Sequence, residues 1–156
     1  MKHPLLIAAL LATPAMAADA PVNPLSKEPF YAAIVKDAGR LKGRSESFGK
    51  APSLSLLSSS AFKSYARDIR QLSERNLKGH MDLKARGTDN DLKCVLKGVS
   101  VDLPLKLEAI EASKTPEALK GAFDDMAYLL EDNIDVIVTP ATADSGLDCV
   151  IEFGNS

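Results

Sequence analysis

The sequence predicts an all-α fold, an antiparallel four-helix bundle with a short extended C-terminal tail that a disulfide staples to it. Three observations support this prediction. Four segments of similar length repeat their apolar residues at helical spacing, short breaks rich in proline, glycine or serine separate them, and the chain contains only two cysteines.

The first two helices are predicted from two apolar stripes. Ser26 is placed to cap the first helix, which fades over residues 43–47 and ends by residues 49–52. The second stripe weakens at Asn76, and Gly87 ends that helix at the latest. The apolar positions are Phe30, Ile34, Ala38 and Leu41 in the first helix and Leu54, Leu57, Ala61, Tyr65, Ile69 and Leu72 in the second. The back of the second helix is predicted to be a solvated basic ridge of Lys63, Arg67, Arg70 and Lys78.

The third segment has two interpretations. Alternating apolar residues at 99–107 are typical of a strand, but helical spacing accounts for a longer run of apolar positions. Pro104 is also unfavourable inside a sheet. We therefore predict a helix that begins near a Thr88 cap and is kinked at Pro104, which cannot donate a hydrogen bond to the Ser100 carbonyl. Its stripe consists of Leu92, Val95, Leu96, Val99, Leu103, Leu107 and Ile110.

The fourth helix has the clearest start, because Thr115 is a capping residue and Pro116 and Glu117 suit the first turn. Its apolar stripe consists of Leu119, Ala122, Phe123, Met126, Leu130, Ile134 and Ile137. The helix is predicted to end at Thr139 and Pro140. After a loop, Leu147 to Phe153 alternates as a short extended tail.

The N-terminal residues predict export. Residues 1–17 combine a basic start, an apolar core and an Ala-Met-Ala cleavage site, as expected for a signal peptide that is cleaved. Residues 18–25 are predicted to be a flexible leader and residues 26–156 a single helical-bundle domain. We expect a periplasmic or secreted protein with no membrane span, because no later segment is apolar enough to cross a bilayer.

The two cysteines, Cys94 and Cys149, are predicted to form a disulfide, since exported proteins fold in an oxidising compartment. The bond would close a loop of about 55 residues and contribute about 4 kcal/mol in the chain-entropy model. Cys94 shares the outer side of the third helix with Val101 and Leu105. We therefore predict that the tail lies along this side and covers these apolar residues.

Composition and charge narrow the function classes. The chain is 46% hydrophobic and 26% charged, which suits a globular domain. Residues 27–86 carry 13 basic and 6 acidic side chains, whereas residues 87–156 carry 5 basic and 14 acidic ones. Such asymmetry can mark a binding surface or can reflect basic helices that pair with acidic ones. The predicted export and the 5% aromatic content disfavour nucleic acid as a partner.

Two motifs resemble reactive sites only in outline. Ser60 and Lys63 match the serine–lysine spacing of some hydrolases, but the other motifs of those enzymes are missing and four serines within residues 55–60 make a chance match easy. His80 and Met126 are a conceivable haem ligand pair inside a bundle. His80 is the only histidine after residue 17, so no multi-histidine metal site is predicted, and we expect it to be exposed or to cap a helix end.

Asn133 is the most unusual residue of the fourth helix because it falls within the apolar stripe. We expect either a hydrogen bond across the bundle that fixes the register or a polar contact inside a ligand cavity. The opposite side of this helix is an acidic stripe, which we interpret as a solvated face and not as a calcium site. The stripe consists of Asp124, Asp125, Glu131, Asp132 and Asp135.

The sequence contains no catalytic constellation and implies no cofactor. It favours a non-enzymatic exported bundle that binds another exported protein or an envelope component. The alternative is a carrier of haem or another small ligand that uses the bundle interior, with His80, Met126 or Asn133 as contacts. The sequence sets neither the partner nor the oligomeric state.

Overall fold

The structure, a computed structural model, describes residues 22–87 and 90–139. It contains four α-helices: α1 (Pro29–Lys50), α2 (Ser60–Arg86), α3 (Asn90–Ala112) and α4 (Pro116–Val138). Two short 3-10 helices, Pro24–Lys27 and Leu54–Ser58, precede α1 and α2. Within the described residues all regular structure is helical, which confirms the predicted all-α class.

Neighbouring helices are antiparallel. The Ser73 hydroxyl of α2 donates to the Ser100 carbonyl of α3 at 2.6 Å. His80, seven residues further along α2, contacts the carbonyl of Lys93, which lies seven residues before Ser100 in α3. The same inversion relates α1 to α4, since Gly39 lies beside Ile134 and Gly49 lies beside Phe123. The pairs in contact are α1 with α2, α2 with α3, α3 with α4 and α4 with α1. The helices therefore form an up-and-down bundle in which α2 and α4 are diagonal and parallel.

The apolar stripes converge on one core. Its largest fully buried side chains include Tyr31 and Tyr65 on α1 and α2 and Phe123 on α4. The helical interpretation of the third segment is confirmed, because its predicted stripe faces this core. Leu92, Leu96, Val99, Leu103, Leu107 and Ile110 are each at most 5% exposed, and Val95 packs against them.

Pro104 lies inside α3, and the Ser100 carbonyl that it leaves without a helical donor accepts a hydrogen bond from another helix. Proline has no N–H, so the Ser100 carbonyl four residues earlier cannot accept its normal helical bond. The Ser73 hydroxyl of α2 donates to this carbonyl instead, at 2.6 Å. Because Ser100 is only 8% exposed, this bond satisfies a nearly buried group and ties α2 to α3 at the proline.

Helix ends follow capping chemistry, although two starts differ from prediction. The Thr115 hydroxyl accepts the Ala118 N–H at 3.1 Å, which confirms that cap. The α2 cap is Ser59, whose hydroxyl accepts the Phe62 N–H, so Leu54 and Leu57 belong to a separate 3-10 helix and not to α2. Helix α2 ends at Arg86 and is capped by Gly87, whose φ of 66° is the left-handed conformation that glycine adopts most readily.

The start of α1 also differs from prediction. Ser26 was expected to cap it, but α1 begins at Pro29 and Ser26 lies in the preceding 3-10 helix, which Asn23 caps. Asn23 and Leu25, both within the predicted flexible leader, are 9% and 6% exposed, and the Asn23 N–H donates to the Val138 carbonyl at 2.9 Å. The end of the leader is therefore packed against the end of α4, because the apolar side chain of Leu25 is buried in the core.

Candidate functional site

Asn133 is hydrogen-bonded across the bundle, as one of its two predicted interpretations requires. Its Nδ2 donates to Asn76 Oδ1 at 2.7 Å, and Asn76 Nδ2 donates to Asn133 Oδ1 at 3.1 Å and to the Leu72 carbonyl at 3.0 Å. Both asparagines have no exposed surface. The two amides satisfy each other between the diagonal helices α2 and α4, so this arrangement favours a structural role over a contact to a ligand.

The sequence marks only one member of this pair. Its pattern places Asn76 where the second stripe weakens, whereas Asn76 is as deeply buried as Asn133. The available signal was that each of two helices carries one asparagine inside an otherwise apolar stripe. Two such residues that share a core can satisfy each other.

His80 was predicted to be exposed or to cap a helix end, but it is 7% exposed and lies six residues before the end of α2. Its Nδ1 lies 2.9 Å from the Lys93 carbonyl oxygen, and since a carbonyl only accepts, Nδ1 carries the proton in this contact. The first turn of α3 packs over this part of α2 and converts a polar position near a helix end into a contact between helices.

His80 and Met126 are not brought together. Met126 is fully buried on α4. The contact of Asn76 with Asn133 shows that these two residues lie at the same height in the parallel helices α2 and α4. His80 lies four residues after Asn76 in α2, and Met126 lies seven residues before Asn133 in α4. At 1.5 Å per residue the offset is about 16 Å along the axis, too far for both side chains to ligate one iron atom.

Ser60 and Lys63 lie in the first turn of α2, and both are exposed. No hydrogen bond joins their side chains in the described part of the chain, whereas a serine activated by a base needs contact at roughly 2.6–3.2 Å. The geometry therefore gives the serine–lysine spacing no support as a reactive pair. Lys63 instead borders a surface cleft of 360 Å³ together with Leu57, Phe62, Ala66, Arg70 and Glu111.

A second cleft, of 480 Å³, lies along α3 and α4 from Lys106 to Asp125 and includes Ala109, Ala118 and Ala122. Neither cleft is lined by Asn76, Asn133 or Met126. The interior candidates Asn133 and Met126 thus lie away from both described clefts, whereas Lys63 and Asp125 line one cleft each.

Residues 27–86 form the basic half of the chain and residues 87–156 the acidic half. Many of the carboxylates that the arginines of the basic half contact lie within that half. Asp68 on α2 is the main junction, since its carboxylate contacts Arg40 at 3.0 Å and Arg44 at 3.2 Å, both on α1. Burial disfavours the charged form of Asp68, but the hydrogen bonds and charges of Arg40 and Arg67 outweigh it and lower the pKa of this carboxyl. Among the described residues, two bridges reach residues 90–139 of the acidic half, from Arg70 to Glu111 at 3.1 Å and from Lys42 to Glu131. The charge asymmetry is therefore only partly neutralised inside the bundle.

The side of α2 that points away from the bundle, here called the α2 outer face, is basic and carries two exposed apolar residues. Leu77 and Met81, one helical turn apart, are 46% and 56% exposed. The face also includes Glu74, and its exposed cations are Lys63, Arg67, Arg70, Lys78 and Lys84. Arg67 contacts Asp68 at 3.4 Å, and Arg70 contacts Glu111. No described ion pair involves Lys63, Lys78 or Lys84. The α2 outer face thus contains the predicted basic ridge and, in addition, Leu77, Met81 and Lys84.

The corresponding side of α4, here called the α4 outer face, is acidic and centres on Tyr128, which is 72% exposed. It consists of Asp124, Tyr128, Glu131, Asp132 and Asp135, with Asp125 at its edge. Lysines contact some of these carboxylates, as Lys120 does Asp124 at 2.5 Å and Lys106 does Asp125 at 3.1 Å. Desolvation, and then the charges of Asp135 and Glu131, raise the pKa of Asp132. Lysines thus pair with part of the acidic stripe, while Asp132 and Asp135 have no described ion pair.

The calcium alternative receives no support from the placement of these carboxylates. Among residues 22–87 and 90–139, no group of three or more His, Cys, Asp or Glu side chains is arranged to hold a metal ion. A straight helix face spreads its carboxylates instead of wrapping them around an ion.

The environment of Cys94 is described, but that of its predicted partner is not. Cys94 is 3% exposed on α3, while Val101 and Leu105 are 51% and 54% exposed. Cys149 and the predicted tail at residues 147–153 lie outside the described residues. The disulfide and the covering of Val101 and Leu105 by the tail stay predictions.

Neither membrane topology nor similarity identifies a function. None of the helices described here combines the length and apolar character that a membrane span requires. Comparisons of the chain with protein-family models, with curated proteins and with solved structures find no match.

Proposed function

We propose that this chain is an exported, non-enzymatic helical-bundle protein that binds another exported protein through the α2 outer face. The observation that carries the proposal is the pair Leu77 and Met81, about half exposed within a basic surface. Apolar side chains at the centre of a polar, charged rim are the usual anatomy of a protein-binding surface. The basic rim predicts that the partner presents acidic side chains.

A protein fits this face better than an anionic membrane does. Glu74 lies within the face, and Arg67 and Arg70 are already in contact with Asp68 and Glu111. A surface that mixes basic and acidic side chains suits a protein partner with charges of both signs, whereas anionic lipid headgroups favour a continuous cluster of lysine and arginine.

Export and the disulfide belong to the same proposal. Residues 1–17 support a cleaved signal peptide and a periplasmic or secreted address. Cys94 and the end of α4 lie at the same end of the bundle, because the contacts of Asn76 with Asn133 and of His80 with Lys93 set both levels. The eleven residues from Val138 to Cys149 reach about 36 Å when extended, and adjacent helix axes are only about 10 Å apart. The chain is thus long enough for Cys149 to meet Cys94.

The address and the disulfide have direct tests. The N-terminus of protein from the native cell envelope should begin at Ala18, and an intact Met1 would contradict export by this signal. Alkylation of the denatured, unreduced protein should label no cysteine. Two labelled cysteines would show that the bond does not form.

Photo-cross-linking tests the binding surface. A photoreactive residue at Met81 of the full chain should form an adduct with protein in the native envelope, and Lys78→Gln in the same chain should weaken it. The same residue at Leu54, which is 39% exposed outside the face, is the matched control. Equal adducts from both positions, or none from Met81, would overturn the proposal. Binding to vesicles of anionic lipid without a protein adduct would replace the protein partner with a membrane surface.

No contact among the described residues favours the alternative that the bundle carries haem or another small ligand. Asn133 is engaged with Asn76, and the level of His80 differs from that of Met126 by about 16 Å.

A further inference from the structure

We infer that the partner of the α2 outer face is a second copy of this chain, which docks through its α4 outer face. This inference rests on the proposed binding function and names the partner. The two surfaces carry opposite charge and each has an exposed apolar centre, so each fits the other better than it fits itself.

Charge supports this pairing. Lys63, Lys78 and Lys84 on α2 have no described ion pair, and neither do Asp132 and Asp135 on α4. A contact between the faces of two copies would give these charges partners that the folded monomer does not supply. Cations from the second copy would also offset the like charges of Asp135 and Glu131 around Asp132.

The apolar centres are also complementary. Leu77 and Met81 offer flexible aliphatic and thioether surface, and Tyr128 offers an aromatic ring that is 72% exposed. A methionine sulfur packs favourably against an aromatic edge, and tyrosine is among the residues enriched in binding hot spots. Burial of the three side chains together would remove apolar surface from water on both copies.

The positions of the helices fix the kind of assembly. Helices α2 and α4 are diagonal in the bundle, and Asn76 and Asn133 point towards each other. The two outer faces therefore point in opposite directions, and one molecule cannot bring its own faces together. Because the faces point in opposite directions, a contact between unlike faces leaves one face free at each end of a dimer, so further copies can add and the mean mass grows with concentration.

The size of the contact sets its strength. Helices α2 and α4 contain 27 and 23 residues, so they are about 40 Å and about 35 Å long. One helix laid on another buries less than the roughly 1,600 Å² of a standard stable interface. We therefore expect weak association that salt suppresses strongly.

The test uses sedimentation velocity of the mature protein over a range of concentrations. At an ionic strength of about 0.01 M, where the Debye length is about 30 Å, the mean mass should rise with concentration. At about 1 M, where the Debye length is about 3 Å, the protein should sediment as a monomer. A monomer at every concentration and salt would overturn the second-copy inference, while the photo-cross-linking test of the proposed function would still be open.

Two variants separate the faces. The α2-face variant combines Lys63→Gln, Lys78→Gln and Met81→Gln, and the α4-face variant combines Tyr128→Gln, Asp132→Asn and Asp135→Asn. Each alone should remain monomeric at low ionic strength. An equal mixture should form dimers and stop there, because each dimer has one intact contact and no further intact pair of faces.

Controls make the mixture decisive. Lys36→Gln with Lys50→Gln removes the same charge from exposed positions on α1 and should leave self-association unchanged. Circular dichroism should show that all variants are folded. Failure of the mixture to form dimers, or self-association of either single-face variant, would overturn the inference. In the photo-cross-linking test, an adduct of twice the mass of the chain supports it, and an adduct with a different protein overturns it while keeping the proposed function.

Discussion

Replacing Asn133 by leucine should destabilise the bundle, and replacing Asn76 as well should restore most of the loss. The single change removes the two hydrogen bonds of 2.7 and 3.1 Å between the amides. It also leaves Asn76 Oδ1 buried without a partner, although Asn76 Nδ2 keeps the Leu72 carbonyl at 3.0 Å. Leucine branches at the same carbon as asparagine, so the shape of the side chain changes little.

The magnitude follows from these contacts. Two hydrogen bonds contribute about 1 kcal/mol each, and a buried acceptor without a partner costs about 1–3 kcal/mol. The added apolar burial of leucine offsets about 1–2 kcal/mol. Asn133→Leu should therefore lower the free energy of unfolding by about 2 kcal/mol. The Asn76→Leu, Asn133→Leu double variant should lie within about 1 kcal/mol of the wild type, because it leaves no amide orphaned.

The assay is urea unfolding followed by circular dichroism, with all four members of the double-mutant cycle measured on the full mature chain. Met126→Leu is the control, because this swap at another fully buried position of α4 should cost less than about 1.5 kcal/mol. A single-variant loss below about 0.5 kcal/mol, or a double variant as unstable as the sum of the two singles, would refute the reasoning.

Three further changes test other contacts by the same unfolding assay. Ser73→Ala should cost about 1 kcal/mol, and clearly less in a Pro104→Ala background, where the Ser100 carbonyl regains a helical donor; equal costs in both backgrounds would contradict the role assigned to Ser73. Asp68→Asn should cost about 1 kcal/mol at neutral pH. Because the folded pKa of Asp68 is lowered, its contribution is present above the unfolded carboxyl pKa of about 4 and is lost as the pH falls through the folded value, so a pH-independent difference from wild type would argue against the junction with Arg40. Asp132→Asn should instead stabilise the protein by about 0.5 kcal/mol at neutral pH, because desolvation, and then the charges of Asp135 and Glu131, raise the folded pKa of Asp132. The gain should vanish as the pH falls below about 4, and a loss of stability at neutral pH would show that the carboxylate has a favourable partner.

The core of each helix was predictable because helical periodicity is a local property of the chain. The positions of α3 illustrate this, since Leu96, Leu103 and Leu107 were assigned to the buried stripe from spacing alone and are at most 1% exposed. The Thr115 cap was predictable for the same reason, because the hydroxyl and the amide that it accepts are three residues apart. Helix starts were less predictable where several serines compete for one capping role, as Ser59 and its neighbours do.

The polar residues of the interior were harder to assign, because their partners are distant in sequence. Asn76 and Asn133 are 57 residues apart, and Ser73 and Ser100 are 27 residues apart. The sequence marked Asn133 as unusual and the Ser100 carbonyl as deprived of its helical partner, but it named neither partner. His80 was expected to be exposed for a related reason, since only the packing of α3 over α2 buries it.

The sequence by itself determined the helical class, the residues that face the core and the uneven distribution of charge, because these depend on residue type and on a period of 3.6. Only the tertiary structure decided which helices are diagonal and which polar groups meet. It also decided that Leu77 and Met81 are left exposed among cations on one side of the bundle and Tyr128 among carboxylates on the other. The physical reason is that periodicity orients a side chain relative to its own helix, whereas burial and charge pairing depend on the neighbouring helices.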